Sequence, residues 1–215
     1  MIPSVLSSQI SRAIWEYLRT TFPITTPFYH YALDQLFSEE GSVFKGPYLS
    51  LGLPFRQGSD EEYFPEIPLG FTPHLHQVQS FERLGVSEPL STIVATGTGS
   101  GKTECFLLPI LDYCRNHADS AGIKAIIIYP MNALATDQAG RIARLIHENP
   151  SLAGRITAGL YIGQKGERIH RVMSADSIIT DREKMRLSPP DILLTNYKML
   201  DYMLIRPSDF PIILG

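Results

Sequence analysis

The sequence predicts an α/β fold in which a parallel β-sheet is flanked by helices. One observation is the β-branched run 92–94, which leads through a glycine-rich loop into an apolar, helix-compatible run ending at Leu111. A second is 123–129, a nearly continuous apolar segment typical of a strand buried on both faces. A third is the repeated alternation of strand-like and helix-like segments between Thr92 and Ile205, which indicates parallel strands joined by right-handed crossovers.

Length and composition are those of a globular protein with a hydrophobic core. The chain has 215 residues, 44% of them hydrophobic, and a mean hydropathy of −0.01. No apolar run approaches the ~18 residues of a membrane span, and the start of the chain lacks the pattern of a signal peptide. Cys105 and Cys114 match no zinc spacing, so we expect reduced core residues in a cytoplasmic protein without membrane contact.

Charge is distributed unevenly along the chain, whose net charge is −3. Residues 1–90 hold 5 Lys and Arg against 10 Asp and Glu, whereas residues 91–215 hold 14 against 12. The second part therefore carries the only basic tendency. Such a tendency is compatible with nucleic acid as a partner but is too weak to establish one.

The first 69 residues are predicted to form a helical and irregular extension. Helical spacing of apolar residues covers 9–21, and a second helix is expected over 29–37. From 41 to 70 the chain is rich in proline, glycine and aromatic residues without clear periodicity. We therefore expect this part to be an ordered extension packed on the main domain.

The main domain is predicted to span residues 70–215. Because the strand-to-helix turns of a parallel sheet emerge at one edge, where ligands bind, we expect the glycine-rich loop, Pro130–Asn132 and Thr195–Asn196 to share a rim. The segment 164–190 is polar and mixed in charge and gives no clear element. The remaining predicted helices are 74–84, 133–147 and 197–205, and the remaining predicted strands are 155–161 and 191–194.

The glycine-rich loop has the layout of a phosphate-binding P-loop, with threonine at position 96, where the strict pattern has glycine. Glycines permit the tight curl that lets backbone N–H groups surround a polyphosphate, and the next helix presents its positive end to the same anion. Lys102 is expected to reach the phosphates, and the Thr103 hydroxyl to ligate Mg²⁺. The candidate phosphate-site residues are Thr96, Gly97, Thr98, Gly99, Ser100, Gly101, Lys102, Thr103 and Glu104, of which Lys102 and Thr103 are the candidate catalytic residues.

Gln77 is a candidate for the recognition of adenine. It precedes Lys102 by 25 residues, and a glutamine amide can pair with N6 and N7 of adenine. The alternative is a surface glutamine on an amphipathic helix. His74 and His76 share the bend before it, but two histidines alone do not indicate a metal site.

Together these segments resemble the first RecA-like domain of superfamily 2 DEAD/DEAH-box helicases, most closely large bacterial DNA helicases of the YprA/MrfA and Lhr kind. The resemblance covers about 70–215. It is carried by Gln77 (Q motif), 97–103 (motif I), 130–138 (motif Ia) and 195–196 (motif Ib). It implies an incomplete RecA-like sheet with ATP and Mg²⁺ as cofactors. The implied partner is DNA, with RNA as the alternative.

In that family, motifs Ia and Ib hold the sugar-phosphate backbone of one strand. Arg141 is a further candidate phosphate contact, although a solvated helix face explains it equally well. The nucleic-acid-binding residues implied by the resemblance are Pro130, Met131, Asn132, Thr195 and Asn196. For Asn132, Thr195 and Asn196 the alternative is ordinary helix capping.

Motif II of the family is an Asp-Glu pair that positions Mg²⁺ and the attacking water. No such pair follows the helix predicted to end at Ile205, and the 215 residues hold no second RecA-like domain. The resemblance therefore implies an N-terminal portion of a helicase that neither hydrolyses ATP nor unwinds alone. It would act with the remaining helicase portion or with a separately encoded partner.

Two other functions remain open at this point. A complete P-loop phosphotransferase of the kinase type would need an arginine-bearing lid, which residues 164–190 could supply through Arg168, Arg171, Arg182 or Arg186. A non-enzymatic remnant could instead regulate a full-length helicase. A GTPase is less favoured because the chain has no Asn-Lys-x-Asp motif for guanine.

Overall fold

A computed structural model of the chain describes residues 3–29, 31–38, 52–59, 61–163 and 169–214. The chain divides into two units, Met1–Pro54 and Phe55–Gly215. The second unit therefore begins before the predicted domain start at Gly70. Phe64 and Ile67, which precede that start, are buried in its hydrophobic core.

The described part of the first unit is helical. Helix α1 spans Pro3–Thr21, a short 3-10 helix covers Pro27–Tyr29, and α2 spans Ala32–Ser38. Both predicted helices are confirmed, although α1 begins earlier than its apolar spacing indicated. The part of the predicted irregular stretch before residue 52 lies outside the described residues.

The second unit contains a three-stranded parallel sheet in the order β1-β3-β2. Strand β3 lies between the others and aligns Ile192 with Ala125 of β1 and with Ala158 of β2. The predicted parallel sheet is confirmed. The strands are β1 (Ala125–Tyr129), β2 (Ala158–Tyr161) and β3 (Ile192–Asn196).

Helices cover both faces of the sheet at its central strand, β3, whose side chains alternate between the faces. Strand β1 is covered on one face only, since Ile127 is buried while Ile126 and Ile128 are 41% and 50% exposed. The expectation that this strand is buried on both faces is therefore wrong. Ile192 and Leu194 of β3 belong to the larger core cluster, whereas Leu193 packs in a second cluster with Met199 and Met203. All five residues of β3 are buried, which explains the apolar run in its sequence. The helices of this unit are α3 (Leu75–Leu84), α4 (Lys102–Asn116), α5 (Asn132–Glu148), α6 (Arg182–Leu187), α7 (Tyr197–Ile205) and α8 (Phe210–Leu214), with a 3-10 helix at Pro207–Asp209.

Interactions among Lys124, Thr157 and Asp191 link the three strands where they begin. Asp191, directly before β3, forms a salt bridge with Lys124, directly before β1. Its second carboxylate oxygen accepts hydrogen bonds from the Thr157 amide at 2.6 Å and from the Thr157 hydroxyl at 2.9 Å. Because the Lys124 and Asp191 side chains are only 7% and 11% exposed, this ion pair is part of the core.

The predicted strand at 92–94 is wrong. Residues 91–97 have no regular secondary structure, and Ile93 is 94% exposed. A strand needs a neighbour to accept and donate its backbone hydrogen bonds. Among the described residues, β1 pairs with β3, and no strand pairs with 92–94.

Both cysteines are buried and carry free thiols. Burial is the main cause that raises the pKa of Cys105, and burial raises the pKa of Cys114 from 9.0 to about 12. The interpretation of both residues as core side chains is therefore confirmed. Among the described residues, no helix is both long and apolar enough to cross a bilayer.

Candidate functional site

The glycine-rich loop enters α4 through glycines with left-handed backbone angles. Gly99 has φ 75° and Gly101, the residue before α4, has φ 73°. Residues with a side chain rarely adopt such angles, so glycine is required at both positions. A Cβ on Gly101 would also lie 2.5 Å from Nε2 of Gln77.

The loop amides have no backbone acceptor in the part of the chain that the structure describes. Among the described residues, none of the amides from Gly97 to Lys102 donates to a backbone oxygen. The ammonium group of Lys102 donates to the carbonyl oxygens of Thr96 at 3.0 Å and Gly97 at 2.7 Å. Ser100 is buried, with its hydroxyl 2.5 Å from that of Thr96, whereas Lys102 remains exposed. These groups fit a polyphosphate, which supplies several oxygen acceptors and a negative charge for the lysine.

Gln77 supports the loop in this structure. Its side chain is 2% exposed, its Oε1 accepts from the His74 amide at 2.8 Å, and its Nε2 donates to the Gly101 carbonyl at 3.0 Å. A glutamine amide carries a second N–H and a second lone pair. Contact with adenine therefore stays a prediction, and the alternative of a surface glutamine is wrong.

Two other side chains of α3 also contact main-chain carbonyl oxygens, one in the loop and one in α4. The sequence pattern did not indicate this role for them. His76 Nε2 lies 2.8 Å from the carbonyl oxygen of Ser100, and the Ser80 hydroxyl donates to the carbonyl oxygen of Cys105 at 2.8 Å. The aromatic ring of Phe55 lies 5.7 Å from the His76 ring. The adjacency of His76 to Gln77 was the only sequence feature that could have indicated its role.

Glu104 and Arg141 form a salt bridge between α4 and α5. The sequence assigned Glu104 to the nucleotide and Arg141 to nucleic acid, and the structure brings them together instead. The Arg141 side chain remains 41% exposed. A phosphate contact of Arg141 is still a prediction, and in this structure its guanidinium is bound to a carboxylate.

The starts of α5 and α7 meet at the rim, which is the edge of the sheet where the strands end. The Asn196 side-chain amide donates to Oδ1 of Asn132 at 2.6 Å. Asn196 also caps α7, since its Oδ1 accepts from the Met199 amide at 2.8 Å. Helix α5 has no such side-chain cap at Met131, so its first N–H groups can receive an anion.

Other residues predicted to bind nucleic acid differ in accessibility. Pro130 is exposed, and Met131 is 63% exposed. Thr195 is fully buried, and its hydroxyl donates to the carbonyl oxygen of Tyr161 at 2.7 Å. The Thr195 side chain therefore stabilises the pairing of β2 and β3 and is not presented at the surface.

The arginines considered for a lid have other partners. Arg171 is bound to Asp181, and Arg186 to the fully buried Asp209. The guanidinium of Arg182 stacks over the Tyr161 ring at 4.6 Å and donates to the carbonyl oxygen of Ile162 at 2.9 Å. The fourth candidate, Arg168, lies outside the described residues.

Comparison with known proteins identifies one family and several relatives. A family model described as DEAD/DEAH box helicase matches residues 75–211, well over half of the chain. The Druantia protein DruE of Escherichia coli is 37% identical over 112 residues, covering 48% of this chain and 6% of that protein. The ATP-dependent helicase Lhr-Core of Methanothermobacter thermautotrophicus is 29% identical over 135 residues, covering 61% of this chain and 15% of that protein.

One solved structure supports the same fold. The crystal structure of DUF1998 helicase MrfA bound to DNA and AMPPNP matches with a TM-score of 0.50 at 23% identity. The match covers 73% of this chain and 20% of that chain. The chain thus spans no more than a fifth of the length of these three proteins.

Proposed function

This chain belongs to the DEAD/DEAH box helicase family, and we propose that it is the ATP-binding and DNA-gripping N-terminal portion of an ATP-dependent DNA helicase or translocase. The observation that carries the proposal is the loop before α4. Its amides have no backbone acceptor among the described residues, and Lys102 stands beside them. A triphosphate supplies the acceptors and the charge that this arrangement lacks.

The nucleotide would be held by the loop and the start of α4. Its phosphates would accept from the amides of 97–103 and from the Lys102 ammonium. The residues present fit Mg²⁺ bound with the phosphates. Thr103 is the second residue of α4, next to Lys102, and its hydroxyl is an oxygen ligand of the kind that Mg²⁺ prefers. When bound, Mg²⁺ neutralises phosphate charge. Gln77 would use its second N–H for the adenine.

The nucleic-acid strand would lie along the rim. Its phosphates would accept from the uncapped N–H groups of α5, next to the exposed Met131. Such contacts recognise the backbone and not the bases, so we propose binding that depends little on sequence. DNA is preferred over RNA in this proposal because the MrfA structure contains bound DNA.

We further propose that the 215-residue chain alone hydrolyses ATP negligibly and does not unwind. Phosphoryl transfer depends on positioned groups that orient the attacking water and stabilise the charge of the transition state. Glu104, the carboxylate nearest to the loop in sequence, is already bound to Arg141. The missing groups would come from the remaining helicase portion or from a separately encoded partner.

A kinase-type phosphotransferase is disfavoured because Arg171, Arg182 and Arg186 bind other residues of the fold and are not presented as a lid.

A regulatory remnant without activity of its own would share the binding properties proposed here. Co-purification with a polypeptide that carries an Asp-Glu motif would favour that function. We propose that the protein acts in the cytoplasm, where buried cysteines are kept as free thiols.

Two titrations test this proposal with the 215-residue chain. Isothermal titration with Mg·ATP should give one site, and fluorescence anisotropy with a labelled single-stranded DNA should give binding that weakens steeply with salt. A parallel titration with RNA of the same sequence decides between the two nucleic acids. Absence of nucleotide binding would refute the proposal. Steady-state ATP turnover that Lys102→Ala abolishes would refute its hydrolysis part.

A further inference from the structure

Three polar side chains of α3 bind main-chain oxygens of the loop and of α4, and we call this group the α3 clamp. It consists of His76 on Ser100 at 2.8 Å, Gln77 on Gly101 at 3.0 Å and Ser80 on Cys105 at 2.8 Å. A carbonyl oxygen only accepts hydrogen bonds. His76 must therefore carry a proton on Nε2.

The clamp determines which way two loop amides point. A trans peptide unit is planar, so its C=O and N–H groups point in opposite directions. The Ser100 carbonyl and the Gly101 amide belong to one unit, and the Gly101 carbonyl and the Lys102 amide to the next. When α3 draws both carbonyls towards itself, both N–H groups turn away from α3.

The backbone angles at the start of α4 complete this arrangement. Gly101 is left-handed, and Lys102 begins the right-handed helix. When one residue has left-handed backbone angles and the next has right-handed helical angles, their successive N–H groups point into one concavity, which binds anions. The clamp and the glycine together therefore prepare the Gly101 and Lys102 amides for a phosphate before it arrives.

We propose that His76 is a positioning residue for the triphosphate, acting through the Ser100 carbonyl without touching the ligand. Gln77 and Ser80 are 2% exposed, so their bonds are internal to the fold. His76 is only half-buried, and its ring also packs against Phe55. Its contribution can therefore be changed with less damage to the core. The inference rests on the proposed nucleotide binding only for its effect on affinity.

Two substitutions separate hydrogen bonding by His76 from packing. His76→Phe keeps a ring against Phe55 but removes the N–H donor, whereas His76→Gln loses the ring and retains a donor. Gln79→Ala, at an exposed position of the same helix, is the matched control. If the clamp positions the loop, the phenylalanine variant should be the defective one.

The first readout needs no nucleotide. In ¹⁵N relaxation measurements on the 215-residue chain, we expect the Gly101 and Lys102 amides to have order parameters near those of rigid backbone, about 0.85, in the wild type. In His76→Phe they should fall towards about 0.6 or below, and in His76→Gln and Gln79→Ala they should stay high. The second readout is Mg·ATP affinity, which His76→Phe should lower by about fivefold to tenfold, the value of one hydrogen bond.

A third measurement uses only the wild type and serves if His76→Phe does not fold. Long-range ¹H–¹⁵N correlation of the His76 ring should show a proton on Nε2. A neutral ring protonated on Nδ1 alone would overturn the proposal. The proposal would also be overturned if His76→Phe had the same order parameters and the same Mg·ATP affinity as the wild type. Equal defects in His76→Phe and His76→Gln would overturn it as well. If the wild type binds no ATP but the order parameters respond as expected, the proposed function fails, and what stands is that His76 orders the Gly101 and Lys102 amides.

Discussion

The side-chain amide of Asn196 donates a hydrogen bond of 2.6 Å to the amide oxygen of Asn132. This bond joins the start of α5 to the cap of α7 across two neighbouring strands. Their register already aligns Tyr129 of β1 with Asn196 of β3. Two helix N-termini are thereby fixed side by side at the rim, where the nucleic-acid backbone is proposed to bind.

Replacement of Asn132 by aspartate tests this assignment. Asn132→Asp keeps the oxygen that accepts from Asn196 and places a negative charge at a helix start, where it stabilises the helix. A phosphate, however, would be repelled. We expect single-stranded DNA affinity to fall by about fivefold to tenfold at low salt, less at high salt, while the melting temperature is unchanged or higher.

Ser188→Asp is the matched control for this charge change. Ser188 is exposed and directly follows α6, shortly before β3 begins, so it lies towards the opposite edge of the sheet from the rim. It should leave DNA affinity nearly unchanged. Equal affinities of Asn132→Asp and wild type would remove the start of α5 from the nucleic-acid site.

Lys102→Ala should weaken binding of Mg·ATP by about tenfold to a hundredfold, because it removes charge-assisted hydrogen bonds to the phosphates. Lys102 is exposed, so its loss should change the free energy of unfolding by less than about 1 kcal/mol. Titration calorimetry and urea unfolding measure the two effects. Lys184→Ala, at an exposed lysine of α6, should change neither, and similar losses of affinity in both variants would indicate nonspecific attraction.

Lys124→Met should destabilise the second unit by about 3–5 kcal/mol, because it leaves the Asp191 carboxylate buried without its partner. The comparison is Arg12→Met, which removes the salt bridge to Glu16, whose two side chains are 80% and 55% exposed. That variant should cost no more than about 1 kcal/mol. Chemical unfolding of both variants decides whether burial of the ion pair makes the difference.

The Cys114 thiol should make stability fall at high pH. Burial raises its pKa in the folded protein to about 12, above the ordinary value of 9.0. Between these values the unfolded chain loses the thiol proton and the folded chain keeps it, so rising pH favours unfolding by up to about 1.4 kcal/mol per pH unit. In Cys114→Ala this contribution should vanish, and the difference between the two stability curves between pH 9 and pH 12 isolates it from other titrating groups. Parallel curves would contradict it.

The sequence allowed prediction of the elements whose pattern is local. Helix α7 begins and ends where it was predicted after the turn at Thr195 and Asn196, and the apolar run ending at Tyr129 forms β1. The run 92–94 has the same β-branched character, yet it pairs with no described strand. Strand formation depends on a partner elsewhere in the chain, which a local pattern cannot reveal.

The phosphate-site residues were likewise predictable only where they belong to a single local sequence pattern. Gly99, Gly101 and Lys102 follow from the loop pattern itself. The role of His76 depends on a contact with Ser100, 24 residues away, and the pairing of Glu104 with Arg141 joins side chains 37 residues apart. Such contacts follow from the fold and have no motif of their own.

The most direct test of the account is to follow the backbone amides of the ¹⁵N-labelled chain during a titration with Mg·ATP. We predict that the largest chemical-shift changes fall on residues 97–104, with the Gly101 and Lys102 amides moving downfield as they donate to phosphate. Shift changes that spare the loop and occur elsewhere would contradict the claim that these amides hold the triphosphate.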